Sequence, residues 1–211
     1  MTNFIPIFPL SVVVYPGEEL NLHIFEPRYK QLINECNELK KPFGIPTVIE
    51  SKLQDHGTLV HIIELSKVHD NGEMDIKTQG SQVFRILELI KEIPDKLYSG
   101  AIVNYPHNHA QGKASLMQKV MAGIHDLHRL LKVNKEYKKA EEEIKTYDIA
   151  HHVGLSLQQE YELLALFDER QRQEYLKRHL AKVIPTVAVM EQLKEKIKLN
   201  GHFKDLPGFN L

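Results

Sequence analysis

The first half of the chain alternates between hydrophobic and polar positions, which predicts a β-rich region. Its candidate segments are short, rich in β-branched residues and bounded by turn formers. Between two of them, Asn71 and Gly72 tolerate the positive φ of a tight hairpin turn. The predicted strands are residues 43–49, 57–65, 74–78, 81–89 and 98–105.

One helix is predicted to interrupt these strands. Pro27 suits a first helical turn, where its missing N–H has no partner to lose, and Pro42 stops the run. Strands that close around a single helix favour a small, partly closed β-barrel or a β-sandwich. The apolar residues that recur at helical spacing after Pro27 are Tyr29, Leu32, Ile33 and Cys36.

Beyond Pro106 the hydrophobic period changes to that of amphipathic helices. A densely charged stretch, residues 135–145, is predicted to be a solvated connection or helix end. A short helix over residues 144–153 should end at Gly154. The stripe that defines the first of these helices consists of Leu116, Val120, Ile124, Leu127 and Leu131.

Two sequence signals predict further helix starts. Ser156 with Gln159 forms one capping box, and Asp168 with Gln171 forms another. After Pro185 a separate last helix is predicted, which Gly201 ends. The expected fold is therefore α+β, with a β-rich subdomain over residues 1–110 and a helical bundle over residues 111–211.

Composition narrows the class of protein. Of 211 residues 42% are hydrophobic, enough for a core, and 27 basic against 28 acidic residues give no general attraction to nucleic acid or anionic lipid. The single cysteine, Cys36, excludes an internal disulfide, fits a reducing compartment and is expected in the core. Because neither a signal peptide nor a membrane-spanning stretch is predicted, we expect a cytoplasmic protein.

No catalytic or metal-binding constellation is predicted. The sequence lacks the G-x-x-x-x-G-K-[ST] loop of an ATPase and offers no nucleophile with a base and an orienting group. A zinc site needs three or four ligands, whereas only three pairs stand out among the 12 histidines, their members are expected to be exposed, and no H-E-x-x-H occurs. We therefore predict neither an enzyme, nor a metal, nor a cofactor. The pairs are His107 with His109, His125 with His128, and His151 with His152.

A block of motifs near the N terminus resembles a known family. Residues 22–29 read LHIFEPRY, and they follow F-P-L at residues 8–10 and P-G at residues 16–17. This order is similar to the opening of the N-terminal, substrate-binding domain of ATP-dependent Lon proteases. Later positions also fit that pattern: the G-T strand entry at Gly57, then Gly80, Phe84 and Arg85, although Gln82 and Val83 occupy the middle of that strand motif.

The resemblance implies a fold and a function. The β half should be the barrel seen in pseudouridine synthases and archaeosine transglycosylases (PUA-like), and residues 148–184 resemble the helical part that follows. Since the chain ends at Leu211, it is expected to stand alone without the family's ATPase and Ser–Lys peptidase domains. We expect a non-catalytic, ATP-independent polypeptide-binding module of protein quality control. Its partners would be unfolded or degron-bearing polypeptides, or a partner protease.

The LHIFEPRY motif has two interpretations. In the structural one, Phe25, Pro27 and Tyr29 fasten the first helix to the sheet, while Glu26 and Arg28 form a local ion pair. In the functional one, three consecutive residues at an exposed helix start contact a bound peptide. These candidates are Arg28, Tyr29 and Lys30.

The remaining motif residues and the alternative functions follow from the fold. Gly80 should mark a bulge or a close backbone approach, and Arg85 a surface or rim position. A peptide would occupy an apolar groove between barrel and bundle, or add to a strand edge. The same fold could instead bind RNA or a small ligand. Nucleic acid is not expected, because the basic stretch 170–182 is interleaved with acidic residues.

Overall fold

A computed structural model of the chain describes residues 2–135, 137 and 139–202. Strands β1 and β2 are not predicted from the sequence, whereas β3 to β6 and the first helix are confirmed with shifted ends. Short 3-10 turns cover Glu141–Glu143 and Ala150–His152. In chain order the elements are β1 Thr2–Pro6, β2 Glu19–Ile24, α1 Pro27–Leu39, β3 Phe43–Ile49, β4 Lys52–Val68, β5 Met74–Ile90, β6 Gly100–Asn104, α2 Ala114–Leu131, α3 Thr146–Ile149, α4 Leu157–Leu164 and α5 Glu169–His202.

Strand β5 lies at the centre of an antiparallel sheet ordered β1-β6-β5-β4-β3. One edge of β5 pairs with β4, and the other pairs first with β2 and then with β6. At the changeover, the N–H of Gly80 donates to the Glu18 oxygen, and its carbonyl accepts from the Gly17 N–H, both at 2.8 Å. A Cβ on Gly80 would overlap the carbonyl oxygen of Tyr15, so only glycine allows this segment to approach.

The two strands predicted at residues 74–78 and 81–89 are one continuous strand, β5. Opposite β4, Leu59 pairs with Gln82 and Val60 pairs with Gly80, which leaves Ser81 as an extra residue. This β-bulge bends the strand without ending it. The turn-like glycine therefore marks an irregularity inside a strand and not a break between two.

The sheet returns to its own first strand. Beyond β1, Ile7 bridges Gly44 and Leu10 bridges Thr47, both in parallel with β3. The N–H of Phe8 donates to the Gly44 oxygen at 2.8 Å. The path from β1 through β6, β5, β4 and β3 thus ends on the continuation of β1. The predicted α+β fold is confirmed in part, as a mostly antiparallel sheet with helices, while its assignment to the PUA-like type stays a prediction.

Helix α1 buries the face that its spacing predicts. Tyr29, Leu32, Ile33 and Cys36 are all at most 7% exposed. They pack in one core cluster with residues from β2, β3, β4 and β5. The helix ends where Lys40 takes a left-handed φ of 52° and its N–H donates to the Asn37 oxygen.

Contacts divide the chain into two compact units. The first contains Met1–Ala110 and Tyr147–Glu169, and the second contains Gln111–Thr146 and Arg170–Leu211. Residues Tyr147–Glu169, the returning segment, pack on the first unit through Tyr15. The buried Tyr15 ring stacks on the Tyr147 ring with 5.1 Å between centres, and the Tyr15 hydroxyl donates to the Glu160 carbonyl oxygen at 3.1 Å. The two-domain division at residue 110 stays a prediction. It differs from the two compact units in assigning the returning segment to the second part of the chain.

The helical elements are confirmed in part. The capping box of Ser156 and Gln159 is present at the start of α4. By contrast, the break predicted at Pro185 is wrong, because α5 continues through that residue to His202. Proline removes one helical hydrogen bond to the carbonyl four residues earlier, but it does not oblige a helix to stop. The predicted short helix over residues 144–153 is α3 followed by a 3-10 turn.

We predict that Gly80→Ala destabilises the protein by about 2 to 3 kcal/mol, because its Cβ would overlap backbone that cannot move aside. The measurement is the free energy of unfolding from urea denaturation. The control is Gln82→Ala, which changes an exposed residue on the same strand and should cost less than about 0.5 kcal/mol. Equal effects of the two substitutions would show that the Tyr15–Glu18 segment does not press on β5.

Candidate functional site

Two residues of the LHIFEPRY motif take opposite environments. Tyr29 is buried, and its ring centre lies 3.9 Å from that of Phe8, so it fastens α1 to the core. Phe25 is 59% exposed and lies beside the His23 ring, with 6.2 Å between centres. The expectation that Phe25 also fastens the helix is therefore wrong, because its side chain leaves the core where β2 turns into α1.

The charged residues of the same motif are engaged within the chain. A terminal guanidinium nitrogen of Arg28 lies 2.7 Å from the Glu26 carboxylate, as predicted, and the guanidinium sits 4.5 Å from the centre of the Tyr29 ring. Lys30 donates to the Asn71 carbonyl oxygen at 3.1 Å. Peptide binding by Arg28, Tyr29 and Lys30 stays a prediction. Of the three side chains, only that of Arg28 is exposed.

The later motif residues shape the inside of the sheet. The Phe84 ring is fully buried and lies against Gly57, where a Cβ would come within 2.7 Å of the ring. Arg85 is exposed and pairs across the ladder with His56 on β4. Its charge is one cause of the lowered pKa of His56, after burial. Gly57 and Phe84 are thus packing positions, and Arg85 lies at the surface.

A cavity of about 410 Å³ lies in the first unit, between β1 and the second half of α1. Its mouth carries two exposed apolar side chains, Phe4 at 53% and Leu39 at 61%. The cavity is lined by Asn3, Phe4, Ile5, Pro6, Glu35, Cys36, Leu39, Lys41, Pro42, Tyr98 and Tyr105. This volume accommodates one or two apolar side chains of a partner.

One wall of the cavity is polar. The Glu35 carboxylate accepts from Lys96 at 2.8 Å and from the Tyr98 hydroxyl at 2.5 Å. Partial burial opposes ionisation of Glu35, but these hydrogen bonds outweigh it and lower its pKa. Burial raises the pKa of the Cys36 thiol to about 11. The wall therefore offers a fixed charge pair beside a neutral thiol, and Cys36 is not an activated nucleophile.

Strand β1 has an open edge beside this cavity. The Ile7 N–H donates to the Ser99 oxygen at 3.0 Å, so alternation along the strand places Ile5 and Asn3 in the bonded pairs with β6. The N–H and C=O groups of Thr2 and Phe4 therefore point away from β6. Further along, β3 occupies this same edge, but none of the described strands pairs with it at residues 2–5.

The exposed edge of β4 differs from that of β1. Over residues 61–68 the ladder with β5 shifts register twice, leaving Ile63 and Ser66 as extra residues. Bulges and charged side chains such as Glu64 and Lys67 prevent another strand from pairing along an edge. The β1–β6 ladder runs through five pairs without a shift. Of these two edges, β1 is the regular one.

A surface histidine, His151, links the returning segment to the residue before β2. His151 Nδ1 lies 2.7 Å from a Glu160 oxygen, and its Nε2 lies 3.1 Å from Glu18. The same Glu18 carboxylate accepts the Tyr15 N–H at 2.8 Å. Burial alone would lower the pKa of His151, but the two carboxylates raise it to about 9. His151 is thus exposed, as expected from the sequence, but each of its ring nitrogens is paired with a carboxylate and the imidazole is held in its charged form.

The histidine pairs predicted from the sequence do not form larger clusters in the described residues. The rings of His107 and His109 lie 4.3 Å apart between centres. None of the three pairs belongs to a group of three potential ligand atoms that all lie within 4.8 Å of one another there. A different group of side chains, positioned by β2 and β5, brings three potential metal ligands together. The sequence did not indicate this group because β2 was not predicted.

The fold and the motif positions define a substrate-binding domain of the Lon type. The family model described as the ATP-dependent protease La (LON) substrate-binding domain matches residues 5–182. The chain therefore belongs to this family, as the resemblance in its sequence predicts.

Known proteins with related sequence or fold agree. A LON peptidase N-terminal domain and RING finger protein of Schizosaccharomyces pombe is 28% identical over 105 residues, which are 41% of this chain and 21% of that protein. The chain thus matches about a fifth of the length of this curated relative.

Two solved structures share the fold. The Lon N-terminal domain protein from Xanthomonas campestris aligns with a TM-score of 0.63 and 24% identity, covering 82% of this chain and 96% of that one. The N-terminal domain of a Mycobacterium avium complex Lon protease aligns with a TM-score of 0.61 and 14% identity. The alignment covers 85% of this chain and 98% of that one. In the part of the chain that the structure describes, no helix combines the length and apolar character needed to cross a bilayer.

We predict that His151 makes stability depend on pH. Its pKa is about 6.5 when unfolded and about 9 when folded, so its contribution is complete below pH 6.5 and is lost as pH rises through 9. His151→Gln should cost about 1 to 2 kcal/mol at pH 6, after allowance for partial exposure, and little at pH 10. Urea denaturation at both pH values measures this.

The control for this experiment is His107→Gln, an exposed histidine of the same unit. Its free energy of unfolding should equal that of the wild-type protein at both pH values. A cost for His151→Gln that is the same at pH 6 and pH 10 would show that packing of the ring, and not its charge, links the two segments.

Proposed function

We propose that this chain is a non-catalytic polypeptide-binding module that captures unfolded or degron-bearing segments for a partner protease in protein quality control. The observation that carries the proposal is the open, regular edge of β1 beside an apolar cavity. Membership of a substrate-binding family supports it, and the ring of strand pairings supports a PUA-like barrel. A cytoplasmic location is part of the same proposal.

The backbone of β1 supplies recognition that does not depend on client sequence. Thr2 and Phe4 turn their N–H and C=O groups outward, on the edge that β3 uses further along at Gly44 and Pro46. An extended polypeptide can continue that pairing as an added strand. Each backbone hydrogen bond contributes about 0.5 to 1.5 kcal/mol. Because every peptide carries these groups, such an edge suits clients that share only the unfolded state.

The cavity supplies an apolar preference. Side chains alternate along an added strand, so one of them faces the cavity between Phe4 and Leu39. Burial of one large apolar side chain contributes about 1.5 to 3 kcal/mol. Since ordering of the client opposes these gains, the expected affinity lies in the micromolar range. That strength lets a client be captured and then released.

We predict that two substitutions weaken binding of a fluorescently labelled, permanently unfolded polypeptide measured by anisotropy. Thr2→Pro removes an outward N–H but leaves the pairing with β6 intact, and it should lower affinity about 3- to 10-fold. Leu39→Asp puts a charge at the mouth of the cavity and should lower affinity about 10-fold or more. Both variants should keep the wild-type circular dichroism and melting temperature.

The matched control is Ile63→Asp, which makes the same type of change on the bulged edge of β4. It should leave binding unchanged. Arg28→Ala tests the alternative of contact at the start of α1, and a loss confined to Arg28→Ala or Ile63→Asp would move the site and refute the β1 edge. A labelled RNA oligomer is the parallel arm: RNA binding that falls steeply with salt, without polypeptide binding, would replace the proposal with nucleic-acid recognition.

A further inference from the structure

The end of the β4–β5 hairpin brings two histidines and two carboxylates together. His23 on β2 lies directly opposite Asp75 on β5 in the antiparallel ladder. His69 follows the end of β4, and Glu73 precedes the start of β5. Their side chains converge although His23 and Asp75 are 52 residues apart in sequence.

The distances show how closely these groups converge. Asp75 lies at the centre, with one oxygen 2.7 Å from His23 Nδ1 and the other 2.8 Å from His69 Nε2. Glu73 lies 3.2 Å from His23 Nε2. Potential ligand atoms of His23, His69 and Asp75 all lie within 4.8 Å of one another, and this is the one such group of three in the described residues.

We propose that His23, His69 and Asp75 form a binding site for a divalent transition metal ion of the zinc class, with the fourth position taken by water. Two imidazole nitrogens and a carboxylate oxygen form a ligand set that zinc uses in proteins. Imidazole donors favour zinc, copper and nickel over magnesium and calcium. The site does not depend on the proposed polypeptide-binding function.

The geometry fits such an ion after small side-chain movements. Metal–ligand distances of about 2.0 to 2.2 Å in a tetrahedral sphere put neighbouring ligand atoms about 3.3 Å apart. The observed spacing within 4.8 Å requires shifts of roughly an ångström, which rotations of the half-exposed side chains allow. The ion would take the place of a proton between His23 and Asp75.

The backbone already positions the three ligands. The His69 N–H donates to the Glu73 oxygen at 2.8 Å, and the Gly72 N–H donates to the His69 oxygen at 2.8 Å, which closes the turn. The β2–β5 ladder sets His23 against Asp75 without a register shift. A site whose ligands are preplaced by strand pairing loses less entropy when the ion binds. The bound ion would cross-link β2 to the hairpin end.

Ion pairs alone are the competing interpretation of this cluster. His23 is half exposed, and exposed ion pairs contribute little to the stability of a protein. The same exposure leaves solvent free to reach the cluster, so an ion can enter without local unfolding. The two interpretations differ in one measurable respect: only a metal site binds zinc with defined stoichiometry.

The test uses the full chain without an affinity tag, stripped of metal with a chelator. Isothermal titration with Zn²⁺ should show a single equivalent bound with micromolar or tighter affinity, and Co²⁺ should give the intense d–d absorption of a tetrahedral site. His23→Gln and His69→Gln should each lower Zn²⁺ affinity at least about 10-fold, with circular dichroism unchanged. Zinc should also raise the melting temperature of the wild-type protein.

The control is the double variant His107→Gln with His109→Gln, which removes another pair of adjacent histidine rings in the same unit. It should bind Zn²⁺ as the wild-type protein does. Zn²⁺ binding that is weaker than micromolar, or that survives His23→Gln and His69→Gln, would overturn the proposal and identify adventitious binding to surface histidines. If either single variant fails to fold, the Co²⁺ spectrum of the wild-type protein decides alone, since its absence also overturns the site.

Discussion

Strand β5 is paired along both of its edges, and the need to satisfy its backbone hydrogen bonds on each side shapes the first unit. Its second edge passes from β2 to β6, and at the changeover the Gly17–Glu18 backbone bonds to Gly80. The segment that fills this position carries Tyr15, whose buried ring recruits Tyr147 and the returning helices. One glycine without a side chain thus permits a chain of contacts that ends in residues nearly seventy positions further along the sequence.

Two unpaired edges among the described strands, those of β4 and β1, differ in regularity. On β4, bulges at Ile63 and Ser66 interrupt the regular row of backbone donors and acceptors. On β1, the ladder with β6 stays regular, and β3 pairs with the continuation of this strand at Ile7 and Leu10. An irregular edge keeps a protein from associating with itself, and a regular edge beside a cavity is suited to a partner.

Local patterns predicted what local physics determines. The apolar face of α1 and the Ser156–Gln159 capping box depend on residues a few positions apart, and both are present. The candidate site was not predicted, because β1 is five residues long and its partner β6 lies about a hundred residues away. The His23–Asp75 pair was missed with β2, although alternation of Leu20, Leu22 and Ile24 with polar residues was a signal for that strand. Pro185 misled because helix-breaking propensity is outweighed where the rest of a helix is well formed.

The placement of Cys36 has a practical consequence for studying this protein. It is the single thiol of the chain, it is 5% exposed, and it lines the cavity between β1 and α1. Because burial also keeps the thiol protonated, an alkylating reagent can react with it rapidly only when the cavity wall opens. The alkylation rate therefore reports the opening free energy of that wall, and any molecule that fills the cavity should slow the reaction without a label being introduced.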